Sequence, residues 1–233
     1  MDLRTHGAQL QSLLDLRSPA VALAFRAEPP PNVHRISEPA PAGCGYWKLA
    51  GDGQVFFTEA SDHYNCPIGA HTHGVDLPAE VAQELEGLVG TMVQIEYITM
   101  EDLPKIPRRS TGFGVAVYAP LTAAPVAPDV VLVRGNPKQM MLVAEAAQAA
   151  GIGHEMAAKL RPTCAIVPEA AEAGQATLSL GCIGNRIYTG LRDDEMYCAI
   201  PASQVPAIVE KLETIITANR ALEIFHHQRK PAP

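Results

Sequence analysis

Pro19-Ala-Val-Ala-Leu-Ala-Phe-Arg26-Ala-Glu-Pro29 is an apolar run closed by Arg-x-x-Pro, and Pro128-Asp-Val-Val-Leu-Val-Arg134-Gly-Asn-Pro137 repeats that pattern. Each run reads as a buried strand: short, apolar and bounded by prolines. The opening prolines stand 109 residues apart, which suits one strand–helix module per copy and is far longer than a solenoid repeat. The chain therefore reads as one unit written twice. Residues 1–120 form a first copy with an N-terminal helix, and residues 121–233 a second copy with a C-terminal helix, together one compact unit. The expected fold class is α/β or α+β, with the two copies packed around a pseudo-twofold axis.

The cysteines follow the same duplication. Cys44 and Cys66 lie in the first copy, with Pro67-Ile68-Gly69 after Cys66 and Gly74 eight residues beyond it. Cys164 and Cys182 lie in the second, with Ile183-Gly184 after Cys182 and Gly190 again eight residues beyond. Ala50-Gly51-Asp52-Gly53-Gln54 and Ala173-Gly174-Gln175 mark matching turns before a short β-type run. The fifth cysteine, Cys198, sits in Met-Tyr-Cys-Ala-Ile and reads as a buried core thiol.

A helix through Leu10, Leu13 and Leu14 precedes the first strand, Ala20 to Phe25, and the proline-rich stretch 28–41 is a loop. Gln54–Thr58 and Phe113–Tyr118 read as strands, with an apolar helical stripe (Val81, Leu85, Leu88, Val89, Met92) between them. Pro120 to Pro128 reads as a linker. In the second copy, strand Val130–Val133 leads to Asn136, a helix cap with Pro137 at the first helical position and Gly151 past the end. A short helix Cys164–Ala173, strands Ala176–Leu180 and Glu195–Ile200, and a last helix with Val205, Ile208, Val209, Leu212, Ile215 and Ile216 on one face complete it.

Composition narrows the function classes. Hydrophobic content of 47% and charged content of 18% describe a globular chain, and the net charge of −7 argues against nucleic acid as a partner. The basic clusters Lys105–Arg109 and Arg229-Lys230 read as solvated surface. No apolar stretch reaches the roughly 18 residues of a membrane helix, and the N-terminus lacks the apolar core of a secretory signal. The expected location is the cytoplasm, where five cysteines are better explained as thiols or ligands than as disulfides. Glycine-rich phosphate loops, Gly-x-Ser-x-Gly and Cys-x-x-Cys-His are all absent from the sequence.

Thiolates are strong ligands, and iron–sulfur clusters are commonly held by four of them. Two cysteines per copy meeting across a pseudo-twofold would supply Cys44, Cys66, Cys164 and Cys182. No pair has the spacing of a local chelate, so buried inert thiols and reactive thiols remain open beside the metal reading. His63, His71 and His73 add imidazoles near Cys66, and His71 and His73 join the four cysteines as metal candidates. Two residues apart, they share a face only in extended chain; hydrogen-bonded loop histidines are the alternative. Lys48, Arg161 and Arg186 flank cysteines, and Arg26 and Arg134 end equivalent strands. They would lower thiol pKa values or hold an anion, with Arg186 the cofactor-binding candidate, or pair with acids such as Asp193-Asp194-Glu195.

Arg161-Pro-Thr-Cys-Ala-Ile-Val-Pro-Glu-Ala170, Leu178-Ser-Leu-Gly-Cys-Ile-Gly-Asn-Arg-Ile-Tyr-Thr-Gly190 and Asp193-Asp-Glu-Met-Tyr-Cys-Ala-Ile-Pro201 resemble a prokaryotic family, domain of unknown function 169. The earlier Cys44 and Cys66-Pro-Ile-Gly69 fit it too, and the resemblance spans about residues 10–220. It implies no activity, substrate or catalytic residue. The leading expectation is a cytoplasmic redox or metal-binding protein, its cofactor an iron–sulfur cluster or other thiolate-bound metal, its partners a small molecule or a redox protein. A thiol-dependent enzyme without metal, with Cys66 or Cys182 as nucleophile, stands beside it. So does a small-molecule or anion-binding module held by Arg26, Arg134 and Arg186. The long last stripe makes a homo-oligomer a further expectation.

Overall fold

A computed structural model describes residues 2–152, 156, 158–159 and 161–229. Lys230 of the C-terminal basic cluster lies outside them. Among the described residues, seven strands form one sheet: β1 (Val21–Arg26), β2 (Phe56–Glu59), β3 (Val115–Pro120), β4 (Val130–Gly135), β5 (Ala158–Lys159), β6 (Thr177–Ser179) and β7 (Met196–Pro201). Their order is β2-β3-β1-β4-β7-β6-β5, antiparallel throughout except for β5 beside β6. The apolar runs that define β1 and β4 lie side by side at the centre, Val21 opposite Leu132.

Both faces of the sheet are covered, which is why the central strands are apolar along their whole length rather than alternating. Alternate residues serve two cores. Ala22, Val131, Val133, Cys198 and Ile200 face one layer, formed by α1 (Leu3–Leu14), α5 (Pro137–Ala149) and α8 (Val205–Arg229). Val21, Leu23, Leu132, Tyr197 and Ala199 face the other, where α2 (Gly45–Gly51) and α6 (Ile166–Ala171) pack with Tyr46, Trp47, Ile166 and Val167. The two-residue pleat thus sorts each strand between two helix layers. The mixed α/β class is as expected from the alternation of strand and helix patterns.

Local chemistry explains most boundaries. Asn136 Oδ1 accepts from the Gln139 amide at 3.0 Å, and the Gln139 side chain accepts from the Asn136 amide at 2.7 Å. This reciprocal cap starts α5, with Pro137 where its missing N–H costs nothing. Gly151, just past the end, sits at φ 72°. Three expectations shift. The strands near Gln54 and Phe113 begin later, at Phe56 and Val115. The expected linker after Pro120 carries a 3₁₀ turn, Leu121–Ala123, whose Leu121 is fully buried in the first core. Finally, α4 (Ala79–Gln94) is a helix as expected, but none of its residues is buried, so its apolar stripe covers no core.

Candidate functional site

Three seven-residue helices that were not expected carry the site: α2, α3 (Pro67–His73) and α7 (Ile183–Thr189). Cys44, Cys66 and Cys182 are their N-cap residues, and Cys164 lies in the 3₁₀ turn Thr163–Ala165 that leads into α6. Pro67 at the first turn and Gly74 at φ 81° bracket α3, and Gly190 at φ 62° ends α7. Contacts cross between the halves of the chain: α2 packs on α7, and α3 packs on α6 and on the turn that carries Cys164.

Among the four sequence-selected cysteines, Cys66 and Cys182 act on the shifted thiols of Cys44 and Cys164. Burial pushes the Cys44 thiol up to about 12, the Asn185 side chain from α7 works against that, and Cys66 and Cys182 raise it further. Burial likewise holds Cys164 well above the usual thiol range; Cys66, Cys44 and Cys182 add to the rise and Thr72 of α3 opposes it. Each buried thiol therefore has a polar neighbour from the opposite half of the chain. Cys44 and Cys164 are buried, whereas Cys66 and Cys182 are partly exposed. The Cys164 Sγ lies 4.0 Å from the Ile68 carbonyl. Gly69 is needed for closeness: a Cβ there would stand 2.9 Å from Cys66 Sγ and 3.5 Å from the Gly43 Cα. Among the described residues, no three His, Cys, Asp or Glu side chains are arranged to hold a metal ion. Cys198 lies in the opposite core, its thiol pushed up to about 12 by burial.

The histidines divide. Because Pro67–His73 is helical, His71 and His73 do not share a face, and the structure does not bring them together as a pair. His73 is fully buried, its Nδ1 2.8 Å from the Gly69 carbonyl. A carbonyl only accepts, so Nδ1 carries the proton. Burial lowers His73 to about 4, and it drives His63 well below the usual histidine value. The His63 and His73 rings lie 5.2 Å apart, and His63 Nε2 is 2.9 Å from Thr58 Oγ1. Arg109, also buried, stacks over Phe25 at 3.7 Å from the ring centroid and pairs with Glu172 at 3.7 Å. His71 instead lines an open groove of about 450 Å³ between α3, α4 and the 3₁₀ turn Met100–Lys105, with Ile68, Leu85 and Val89.

The sequence-selected arginines are engaged by the protein itself. Arg26 donates to Asp129 at 2.9 Å and to the Phe25 carbonyl at 2.5 Å. Arg134 donates to Glu195 and to the Thr189 and Gly190 carbonyls. Arg186 donates to the carbonyls of Arg192 at 2.7 Å and Leu180 at 2.5 Å, so it braces the turns around α7 rather than facing the thiols. Arg161 lies over the Tyr97 ring at 4.4 Å. Sequence reasoning missed Asn185 and Thr72. Asn185 is buried three residues after Cys182, and its amide makes no hydrogen bond of good geometry among the described residues.

The fold and site define a class: a mixed α/β protein with three cysteines at the starts of short helices and a fourth in a 3₁₀ turn. The chain belongs to the family described as DUF169, Uncharacterised ArCR, whose model matches residues 9–211. It is similar to an uncharacterized protein of Methanocaldococcus jannaschii, 26% identical over 220 residues that cover 91% of this chain and 94% of the relative. No solved structure matches the chain. No helix among the described residues is long and apolar enough to cross a membrane.

Proposed function

We propose that Cys44, Cys66, Cys164 and Cys182 form one soft-ligand centre, drawn from two duplicated halves, that holds an iron–sulfur cluster or another thiolate-bound metal for redox work. The observation that carries this reading is that the short helices starting at Cys44 and Cys66 pack on α7, on α6 and on the turn that holds Cys164, so cysteine-bearing elements of both halves meet on one side of the sheet. The duplication is supported by topology. The order β2-β3-β1 on one side of the sheet centre is matched by β6-β7-β4 on the other. Val21 pairs with Pro120 as Val130 pairs with Pro201, and a 3₁₀ turn follows each.

The donor set suits a soft metal, since it offers sulfur without a carboxylate. Gly69 leaves space beside the Cys66 thiol that any side chain would fill. The thiols would have to turn toward one another, because no closed ligand set stands among the described residues. Cys44 and Cys164 are protonated at neutral pH, so binding releases protons and strengthens as pH rises. A bound iron–sulfur cluster would supply one-electron transfer. The chain's own part is to bury two sulfurs, place Asn185 and Thr72 beside them, and leave Cys66 and Cys182 toward solvent.

The uneven exposure favours a second reading, a metal-free thiol enzyme with Cys66 or Cys182 as nucleophile. Metal analysis and the ultraviolet–visible spectrum of oxygen-free protein separate the two. Stoichiometric iron or zinc supports the first reading. Colourless, metal-free protein of unaltered thermal stability, with one cysteine alkylated far faster than the rest, supports the second.

A further inference from the structure

The last helix outruns the body it packs on. Its buried residues end at Leu212, with Ile215 and Ile216 partly covered, yet α8 continues to Arg229. Residues 217–229 extend about 20 Å at the α-helical rise. Ala218, Leu222, Phe225 and Arg229 recur at helical spacing, so they form one stripe. Leu222 is 55% exposed, Ile224 60% and Phe225 48%. Arg229 lies 5.3 Å from the Phe225 ring centroid. The acidic residue of this segment, Glu223, is paired with Lys138 of α5 at 3.4 Å, which leaves Arg220 and Arg229 to give the tail a basic surface.

The groove beside α4 has the complementary character. Its walls are apolar, from Leu85, Val89, Leu103 and Ile106, and Glu86 stands at its rim. Along its length α4 carries Glu80, Glu84 and Glu86 and no lysine or arginine. The apolar stripe of α4 is only partly covered within its own chain, with Leu85 and Val89 half-buried and Leu88 exposed. The groove and the tail belong to opposite faces of the sheet: Ile68, which lines the groove, packs on the core that holds Cys44 and Cys164, while α8 packs on the other. A tail therefore does not reach the groove of its own chain.

We infer that the C-terminal turns of α8 dock in the α4 groove of a second copy, with Leu222 and Phe225 inserted and Arg220 and Arg229 facing the glutamates. This is the helix-in-groove mode of recognition. If each chain gives a tail and receives one, the two contacts close a twofold dimer. The inference uses no cysteine and stands independently of the proposed metal centre.

Light scattering of the full chain tests it across a concentration series. The wild type should reach about twice the 24.9 kDa chain mass. Leu222→Glu with Phe225→Glu, at exposed positions outside both cores, should give monomer, and so should Val89→Glu in the groove. Mixing the tail variant with the groove variant should restore a one-to-one heterodimer, because each supplies what the other lacks. A second pair guards against a damaged groove: Glu84→Lys with Glu86→Lys should weaken the dimer, and Arg220→Glu with Arg229→Glu should restore it. Wild type that stays monomeric overturns the inference. So does a dimer that survives Val89→Glu, since its tails then pair with each other.

Discussion

Two pairs of cysteines share one face of the sheet and live in different chemistry. Cys44 and Cys164 are buried and face Asn185 and Thr72 from the opposite half of the chain, whereas Cys66 and Cys182 open toward solvent at the starts of α3 and α7. Depth, rather than sequence neighbourhood, separates them. Cys66 and Cys164 both precede short helices, yet one is partly exposed and the other is not. A site built this way has an inner pair held neutral by burial and an outer pair that meets reagents first.

The largest expected effect breaks that comparison directly. A thiol moved from its ordinary value of about 9 to about 12 carries on the order of a thousandfold less thiolate at neutral pH. Iodoacetamide mapped by mass spectrometry should therefore label the partly exposed Cys66 and Cys182 well before the buried Cys44 and Cys164. Equal rates at all four would mean that the inner pair is not protected. Asn185→Leu sharpens the contrast, since Cys44 then loses the neighbour that lowers it and should label more slowly still.

The next effect is acid loss of stability. His73 has a folded-state value of about 4, below the ordinary histidine value of about 6.5, so the unfolded chain binds its proton first. Stability from this group is complete above about pH 6.5 and is lost as pH falls toward 4, by about 3 kcal/mol. His63 acts in the same direction. Urea unfolding at pH 7 and pH 4 checks this, and His73→Gln should show a shallower dependence. A slope unchanged by that substitution would place the acid sensitivity elsewhere.

The smallest effect concerns the tie between the segment before β3 and the end of α6. Glu172 accepts from the Ser110 and Thr111 amides and the Ser110 hydroxyl and pairs with Arg109; these hold its carboxyl below the ordinary value although burial alone would raise it. Glu172→Gln should cost about 1 kcal/mol, as expected for a partly exposed charge-assisted contact. Chemical denaturation at pH 7 reads it, and a loss several times larger would make this clasp a structural centre.

Much of this fold was legible because its central strands are continuous apolar runs and α5 carries a full set of caps. The three helices that position the cysteines were not. Seven residues are too few to show a 3.6-residue period, and glycines within Gly45–Gly51, Pro67–His73 and Ile183–Thr189 argue against helix. The bracketing signals were nevertheless present, with Pro67 after Cys66 and a glycine eight residues past Cys66 and past Cys182. Conversely, the stripe on α4 was legible as a helix, but a stripe states only that a face is apolar and not what covers it. The meetings of α2 with α7 and of α3 with α6 are contacts between distant segments, which no local pattern encodes.

Cadmium titration under anaerobic conditions, followed by the thiolate-to-metal charge-transfer absorption, tests the shared centre most directly. The account predicts saturation with sulfur ligands from both halves, so that Cys44→Ser with Cys66→Ser and Cys164→Ser with Cys182→Ser each abolish the wild-type spectrum. Retention of that spectrum, at unchanged affinity, by either double variant would contradict it.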